Sequence, residues 1–253
     1  MLIDIHAHLH VKDFDADRDS VITRALQAGV LKMINVGFDA EGNFHALNLA
    51  KKYDFIWCTM GIHPHLASEW NEYVAKQIES AVKKEERIVA LGEMGLDYFK
   101  NFQPPELQKK AFQEQLRLAR KLDLPVIIHC RDAFEDCLKL IQEEEITKAV
   151  FHCFTGNLPV AKRLWEKGFY TSFTGIITYA TAHELREVVT AVPEELFFIE
   201  TDCPYLAPQK YRGQRNEPAY LREVAETIAA VKKMDLKEVE KNVERNVRGL
   251  FGI

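Results

Sequence analysis

A chain of 253 residues is long enough to bury a sizeable core, and α/β barrels of this size usually form one domain. Its 47% hydrophobic and 28% charged residues are an ordinary soluble composition. The formal charge of −5 argues against a globally basic surface for tight, non-specific binding of nucleic acid.

Short apolar runs alternate with longer amphipathic stretches along the whole chain. The first run, Met1–Ile5, leads straight into His6-Ala-His8, and Leu31–Val36 is the second. Phe55–Met60 is followed by Gly-Ile-His63, and Ile88–Leu91 by Gly-Glu93. A helix opens at Pro104-Pro105, with Leu107, Ala111, Leu116, Ala119 and Leu122 along one face. Val126–Ile128 ends in His129, and Ala149–Phe151 ends in His152. Asn157 is placed to cap a helix that carries Val160, Ala161 and Leu164. Phe169–Phe173 is the seventh run, and Leu196–Ile199, the eighth, leads to Asp202. Thr181 with Glu184, and Asp235 with Glu238, have capping-box spacing. Two helices, over Glu217–Lys232 and Leu236–Val247, close the chain.

Eight strand-like runs separated by helices predict an α/β fold, a single-domain TIM (β/α)8 barrel over residues 1–253. An open, doubly wound sheet is the alternative; the absence of G-x-G-x-x-G after the first strand counts against it. No signal peptide is expected, since the chain enters a strand without a basic segment and an apolar core. No apolar run approaches the ~18 residues of a membrane span. The five cysteines lack C-x-x-C spacing, so free thiols in a reducing compartment, the cytoplasm, are expected. Cys130 and Cys153 follow His129 and His152 directly and should point the opposite way, into packing.

The residues with chemistry fall at the carboxyl ends of these strands, the face on which barrel enzymes build their sites. His6 and His8 are two apart, so both imidazoles lie on one side of the strand, suited to gripping a single cation. Imidazole nitrogens with the carboxylates of Glu93 and Asp202 form a donor set for Zn and other transition metals. The donors exceed what one four-coordinate ion needs, which argues for two metals and a bridging carboxylate such as Glu93. Asp4, on the side of His6, and Glu200 are expected to support ligands rather than bind metal. His10, His45, His65 and His183 are read as ordinary core or loop histidines.

At these residues the sequence resembles the TatD family of metal-dependent deoxyribonucleases, within the wider amidohydrolase-type barrels. The resemblance runs end to end: Met-Leu-Ile-Asp-Ile-His-Ala-His-Leu at the start, then Gly61-Ile-His63-Pro64-His65, Gly92-Glu93-Met-Gly-Leu-Asp97-Tyr98 and His129-Cys-Arg131-Asp132. The later motifs are His152-Cys-Phe-Thr-Gly156, Glu200-Thr-Asp202-Cys-Pro204 and Arg212-Gly-Gln-Arg215-Asn216-Glu217-Pro218. The resemblance implies His6, His8, Glu93 and Asp202 on one metal, and Glu93, His129 and His152 on the other. It also implies His63 as a substrate contact and DNA as substrate. Met94, Ala7 and Thr155 depart conservatively from the family's usual residues and are not ligands.

The expected chemistry is hydrolysis of a phosphodiester at two divalent cations, by a deoxyribonuclease with a short reach at strand ends, in the manner of an exonuclease. Asp202 is placed to accept the proton of the attacking water, and His63 with Arg131 or Arg215 to hold phosphate oxygens. Surface ion pairing is the other reading for Arg212 and Arg215. The ligands point to Zn, Mn, Co or Fe, with Mg the usual ion of nucleases. Two further functions fit such a barrel. One is hydrolysis of a small amide, lactone or ring, although barrels of that kind often carry a bridging lysine where Glu93 stands. The other is metal binding without catalysis.

Overall fold

The computed structural model describes residues 1–253. Eight strands lie in one sheet in the order β1 to β8, each followed by helical structure, which is the (β/α)8 order of a TIM barrel. The strands are β1 (Leu2–Ala7), β2 (Val30–Val36), β3 (Ile56–Met60), β4 (Ile88–Asp97), β5 (Val126–Arg131), β6 (Ala149–Phe151), β7 (Tyr170–Phe173) and β8 (Phe197–Ile199). Neighbours β1–β2, β3–β4, β4–β5, β5–β6 and β7–β8 pair in parallel. A doubly wound sheet would reverse its strand order at a switch point, and this sheet runs in sequence order throughout.

The chain forms two compact units, Met1–Asn35 with Cys153–Ile253, and Val36–His152. In the first, α1 (Arg18–Gln27), α6 (Leu158–Trp165), α7 (His183–Ala191), α8 (Leu221–Lys232) and α9 (Leu236–Phe251) accompany β1, β2, β7 and β8. Asn157 caps α6 as expected, its side chain accepting from the Val160 N–H at 3.1 Å. The capping box of Asp235 and Glu238 also forms. Thr181 caps nothing: α7 starts at His183 behind Ala182, one residue too late for the Thr181 side chain to reach it. Pro218–Tyr220 makes a separate 3-10 turn, so α8 begins at Leu221 rather than Glu217.

In the second unit, α2 (Gly42–Lys52), α3 (Glu72–Val82), α4 (Pro105–Leu122) and α5 (Phe134–Glu143) pack beside β3 to β6. Ala111, Phe112, Leu116 and Ala119 of α4 are buried, each large side chain contributing roughly 1.5–3 kcal/mol. The same face carries two buried polar residues that a hydrophobic pattern does not register, Gln108 and Gln115. Gln115 accepts from the Ile62 N–H at 2.8 Å and donates to the Ile62 carbonyl at 3.1 Å. Gln108 clips Asp97 in the same way, at 2.8 and 3.1 Å. Both amides satisfy strand-end backbone groups that burial would otherwise leave costly.

β4 outruns its expected end at Leu91 by six residues and stays buried throughout. Gly95 is what admits the close pass of β5. It pairs with His129 at φ +147, and a Cβ there would overlap the His129 carbonyl oxygen and sit 2.9 Å from its carbon. Gly95→Ala is therefore expected to destabilise the protein by about 2–3 kcal/mol, several degrees in thermal unfolding. The comparison is Gly249→Ala, in the last turn of α9 with open space around it, which should stabilise by roughly 0.5 kcal/mol. Equal unfolding temperatures for the two variants would refute the clash.

Candidate metal centre

In the first unit, β1 and the segment after β8 run side by side and present three donors. The Asp202 N–H donates to the His6 carbonyl and the His8 N–H to the Cys203 carbonyl, each at 2.8 Å. Asp4 holds this junction: its carboxylate accepts from the Thr201 hydroxyl at 2.6 Å, the Thr201 N–H at 3.0 Å and the His6 N–H at 3.2 Å. Burial lifts the Asp4 carboxyl to about 7 against those hydrogen bonds. Asp4 thus fastens the backbone that carries these candidate donors. Glu200 does the same elsewhere, accepting from the Cys153 N–H at 2.6 Å.

The His6 and His8 Nε2 atoms stand 3.2 Å apart, and Asp202 Oδ1 lies 3.8 and 3.2 Å from them. Two nitrogens bound at ~2.1 Å to one tetrahedral cation would be separated by about 3.4 Å. All three residues are buried or nearly so, and their donor atoms converge at metal-ligand spacing.

In the second unit the centre is Glu93, 4% exposed on β4. Its Oε1 lies 2.7 Å from His152 Nε2, 3.0 Å from His129 Nδ1 and 3.4 Å from His63 Nε2. The donor atoms of Glu93, His129 and His152 lie within 4.8 Å of one another, close enough to share an ion. Burial disfavours the Glu93 charge, but the surrounding histidines outweigh it and hold the carboxyl well below its usual range.

Asp97 and His65 complete this group, and sequence reading missed their place in it. Asp97 Oδ2 lies 3.1 Å from His129 Nε2 and 2.8 Å from His65 Nε2, while its Oδ1 accepts from the Lys100 N–H at 2.8 Å. Burial pushes the Asp97 carboxyl up, yet hydrogen bonds from His129, Lys100 and His65 bring it below the ordinary value. His129 is thus gripped at both ring nitrogens, the arrangement in which a carboxylate orients a metal-binding imidazole. Burial lowers the His129 pKa, and its bonds to Asp97 and Glu93 more than reverse that. The signal available was alternation, because Glu93, Gly95 and Asp97 share one side of β4. His65, read as a loop histidine, is indeed hydrogen-bonded in a loop, and its donor also converges with those of His63 and His129.

His63 differs from its neighbours. Its Nδ1 accepts from the His65 N–H at 3.1 Å, so a neutral ring carries its proton on Nε2, towards Glu93. Burial draws its pKa down to about 4, keeping it neutral near physiological pH. In that tautomer its Nε2–H is directed at Glu93 as a hydrogen-bond donor.

The two arginines fare differently. Arg215 gives Nη1 and Nη2 to Asp17, at 2.9 and 2.7 Å, donates to the Asp13 carbonyl at 2.6 Å and covers the Phe14 ring at 4.6 Å. Glu217 pairs instead with Arg24, at 2.5 Å. Arg131, exposed at the end of β5, lies 3.8 Å over the Phe99 ring. His45 and His183 are surface residues, and His10 faces Asn35 at 3.2 Å. All five cysteines are free thiols, and no helix is long and apolar enough to cross a membrane.

Donor sets of this kind suit a divalent cation. Comparison with known proteins agrees with that chemistry. The chain is 41% identical over its whole length, and over the whole length of the relative, to an uncharacterized metal-dependent hydrolase, YabD, of Bacillus subtilis. It is 38% identical to the 3'-5' ssDNA/RNA exonuclease TatD of Citrobacter koseri, covering 100% of this chain and 99% of that one. The crystal structure of the TatD homolog YJJV of Escherichia coli superposes with a TM-score of 0.95 at 30% identity, covering 100% of this chain and 98% of that chain. The family model described as TatD related DNase matches residues 3–252, and the chain belongs to that family.

Proposed function

We propose that this protein is a metal-dependent phosphodiesterase that removes nucleotides from the ends of single-stranded nucleic acid, with residues 1–253 acting as one domain. The observation that carries the reading is Glu93, a buried carboxylate with three imidazole nitrogens within 3.4 Å of one oxygen, in a chain of the DNase family. A family match over residues 3–252 supports one functional domain. Free cysteines suit a reducing compartment, the cytoplasm.

In this reading His6, His8, Asp202 and Glu93 hold one divalent cation, and Glu93, His129 and His152 a second. Bound there, the pair would lower the pKa of a water and offset charge growing on the phosphoryl oxygens. The chain's own groups do the rest. Asp202 accepts the proton of the attacking water. His63, neutral and protonated on Nε2, donates to a non-bridging phosphate oxygen. Arg131 offers its guanidinium to the phosphate; Arg215 is the weaker choice, since its fork already serves Asp17.

The test strips the protein with chelator, restores Mg, Mn or Zn singly, and follows nucleotide release from end-labelled single- and double-stranded DNA. Metal-dependent release from single-stranded ends is expected. A protein that binds ions yet releases nothing with any of them would overturn the reading and direct the search to small cyclic amides and lactones.

A further inference from the structure

Five large hydrophobic side chains are exposed, and two of them, Phe99 at 58% and Phe102 at 64%, belong to the one short loop after β4. Leaving such rings in water forgoes roughly 1.5–3 kcal/mol each, and single exposed apolar residues need no explanation. Two on one loop, beside the histidine group, call for one.

The loop is fastened rather than loose. The Lys100 N–H donates to Asp97 Oδ1, the Gln108 amide to the Gln103 carbonyl at 2.7 Å, and the Tyr98 hydroxyl to Asp136 at 2.6 Å. The Phe102 ring meets His65 edge-on, with centroids 4.7 Å apart, and His65 in turn lies 4.3 Å from His63. Phe102 is therefore one imidazole away from the group that surrounds Glu93. Arg131 covers one face of Phe99 at 3.8 Å, and Lys100 stands 5.9 Å from the same ring. Arg131 is two residues past His129 on β5, so the cation and the candidate ligand share a strand side.

Flat π faces edged by cations match one kind of partner, a base attached to a phosphate. Aromatic rings and guanidinium planes both stack on bases of any sequence, while the positive charges meet the backbone. We propose that Phe102, with the Phe99–Arg131 stack, forms a shelf on which the terminal base of a single strand rests while its phosphate faces the histidine group. The inference rests on the function proposed above and adds the positioning element. Its extent, one loop, suits one or two nucleotides.

The experiment uses the metal-loaded protein with Phe102→Ala, Phe99→Ala and Phe102→Trp. Two single-stranded pentanucleotides serve as probes, one carrying 2-aminopurine at its 3′ end and the other an abasic residue there. Wild type should quench the 2-aminopurine on mixing, as a stacked base does, whether or not cutting follows. Phe102→Ala should lose the quench and raise KM about tenfold on the base-bearing end, with less than a twofold effect on the abasic end. Phe102→Trp should restore both. Equal loss on the two ends, or cutting by a wild type that shows no quench, would overturn the shelf while leaving the nuclease reading intact. A wild type that quenches but releases nothing, whichever metal is restored, would overturn the nuclease reading and keep the shelf. Neither quench nor cutting would remove both.

Discussion

Glu93→Ala is expected to lower release of nucleotides from single-stranded DNA by a factor on the order of a thousand or more while leaving the fold in place. The carboxylate is the point on which His63, His129 and His152 converge, at 3.4, 3.0 and 2.7 Å. Removing it strips the negative charge from a cluster of imidazoles, so a cation brought there loses both a ligand and the charge that offsets its own. The fold should survive because the backbone of β4 is pinned independently, through its pairing with β5 and the clip of Gln108 on Asp97. A second measurement separates lost metal from lost chemistry. A ligand at a thousandfold excess over its dissociation constant stabilises a protein by about 4 kcal/mol, roughly ten degrees in a chain of this size. Chelator should lower the unfolding temperature of the wild type by that order and of Glu93→Ala by much less. A variant that kept wild-type turnover, or an equal chelator shift in both proteins, would remove Glu93 from the centre.

The fold was legible because parallel strands buried on both faces read as unbroken apolar runs, and β1, β2, β3, β6, β7 and β8 fall within a residue or two of those runs. β4 failed at its end for a physical reason. The pattern breaks at Gly92-Glu93 and again at Asp97, yet these carboxylates are buried because histidines distant in sequence partner them. A carboxylate's partner 32 or 59 residues away leaves no local trace. The ligand-type residues themselves stood out, since they recur at strand ends. What linked them did not: neither Gln108 and Gln115 on the face of α4 nor Asp17 opposite Arg215 follows any periodic rule. Thr181 shows the opposite error, a local motif with correct spacing that α7 does not use. The loop aromatics leave no mark in the sequence because two rings make no run, and only their nearness to His65 and Arg131 gives them meaning.

Asp97→Asn should weaken metal binding in the His129 group by about 10- to 100-fold, and it should do so more than Asp97→Ala despite being the gentler change in shape. The reason is the tautomer. Asp97 Oδ2 accepts from His129 Nε2 at 3.1 Å, so the neutral ring has its lone pair on Nδ1, the nitrogen 3.0 Å from Glu93, where a cation can take it. An asparagine that keeps the Lys100 N–H on its oxygen must turn its amide NH2 towards His129 and His65. His129 Nε2 then becomes the acceptor, the proton moves to Nδ1, and the ring presents a hydrogen where a ligand is needed. Alanine imposes no tautomer; it leaves a small cavity and an undirected ring, costing stability without forbidding ligation. Calorimetric titration with Mn or Zn ranks the three proteins, and ¹⁵N shifts of the His129 ring report which nitrogen is protonated. The expected order of affinity is wild type, then alanine, then asparagine, with a neutral ring that carries its proton on Nδ1 alone appearing only in the last. If the order followed size instead, with asparagine close to wild type, Asp97 would be a packing residue of β4 and the orientation of His129 would have to come from Glu93 alone.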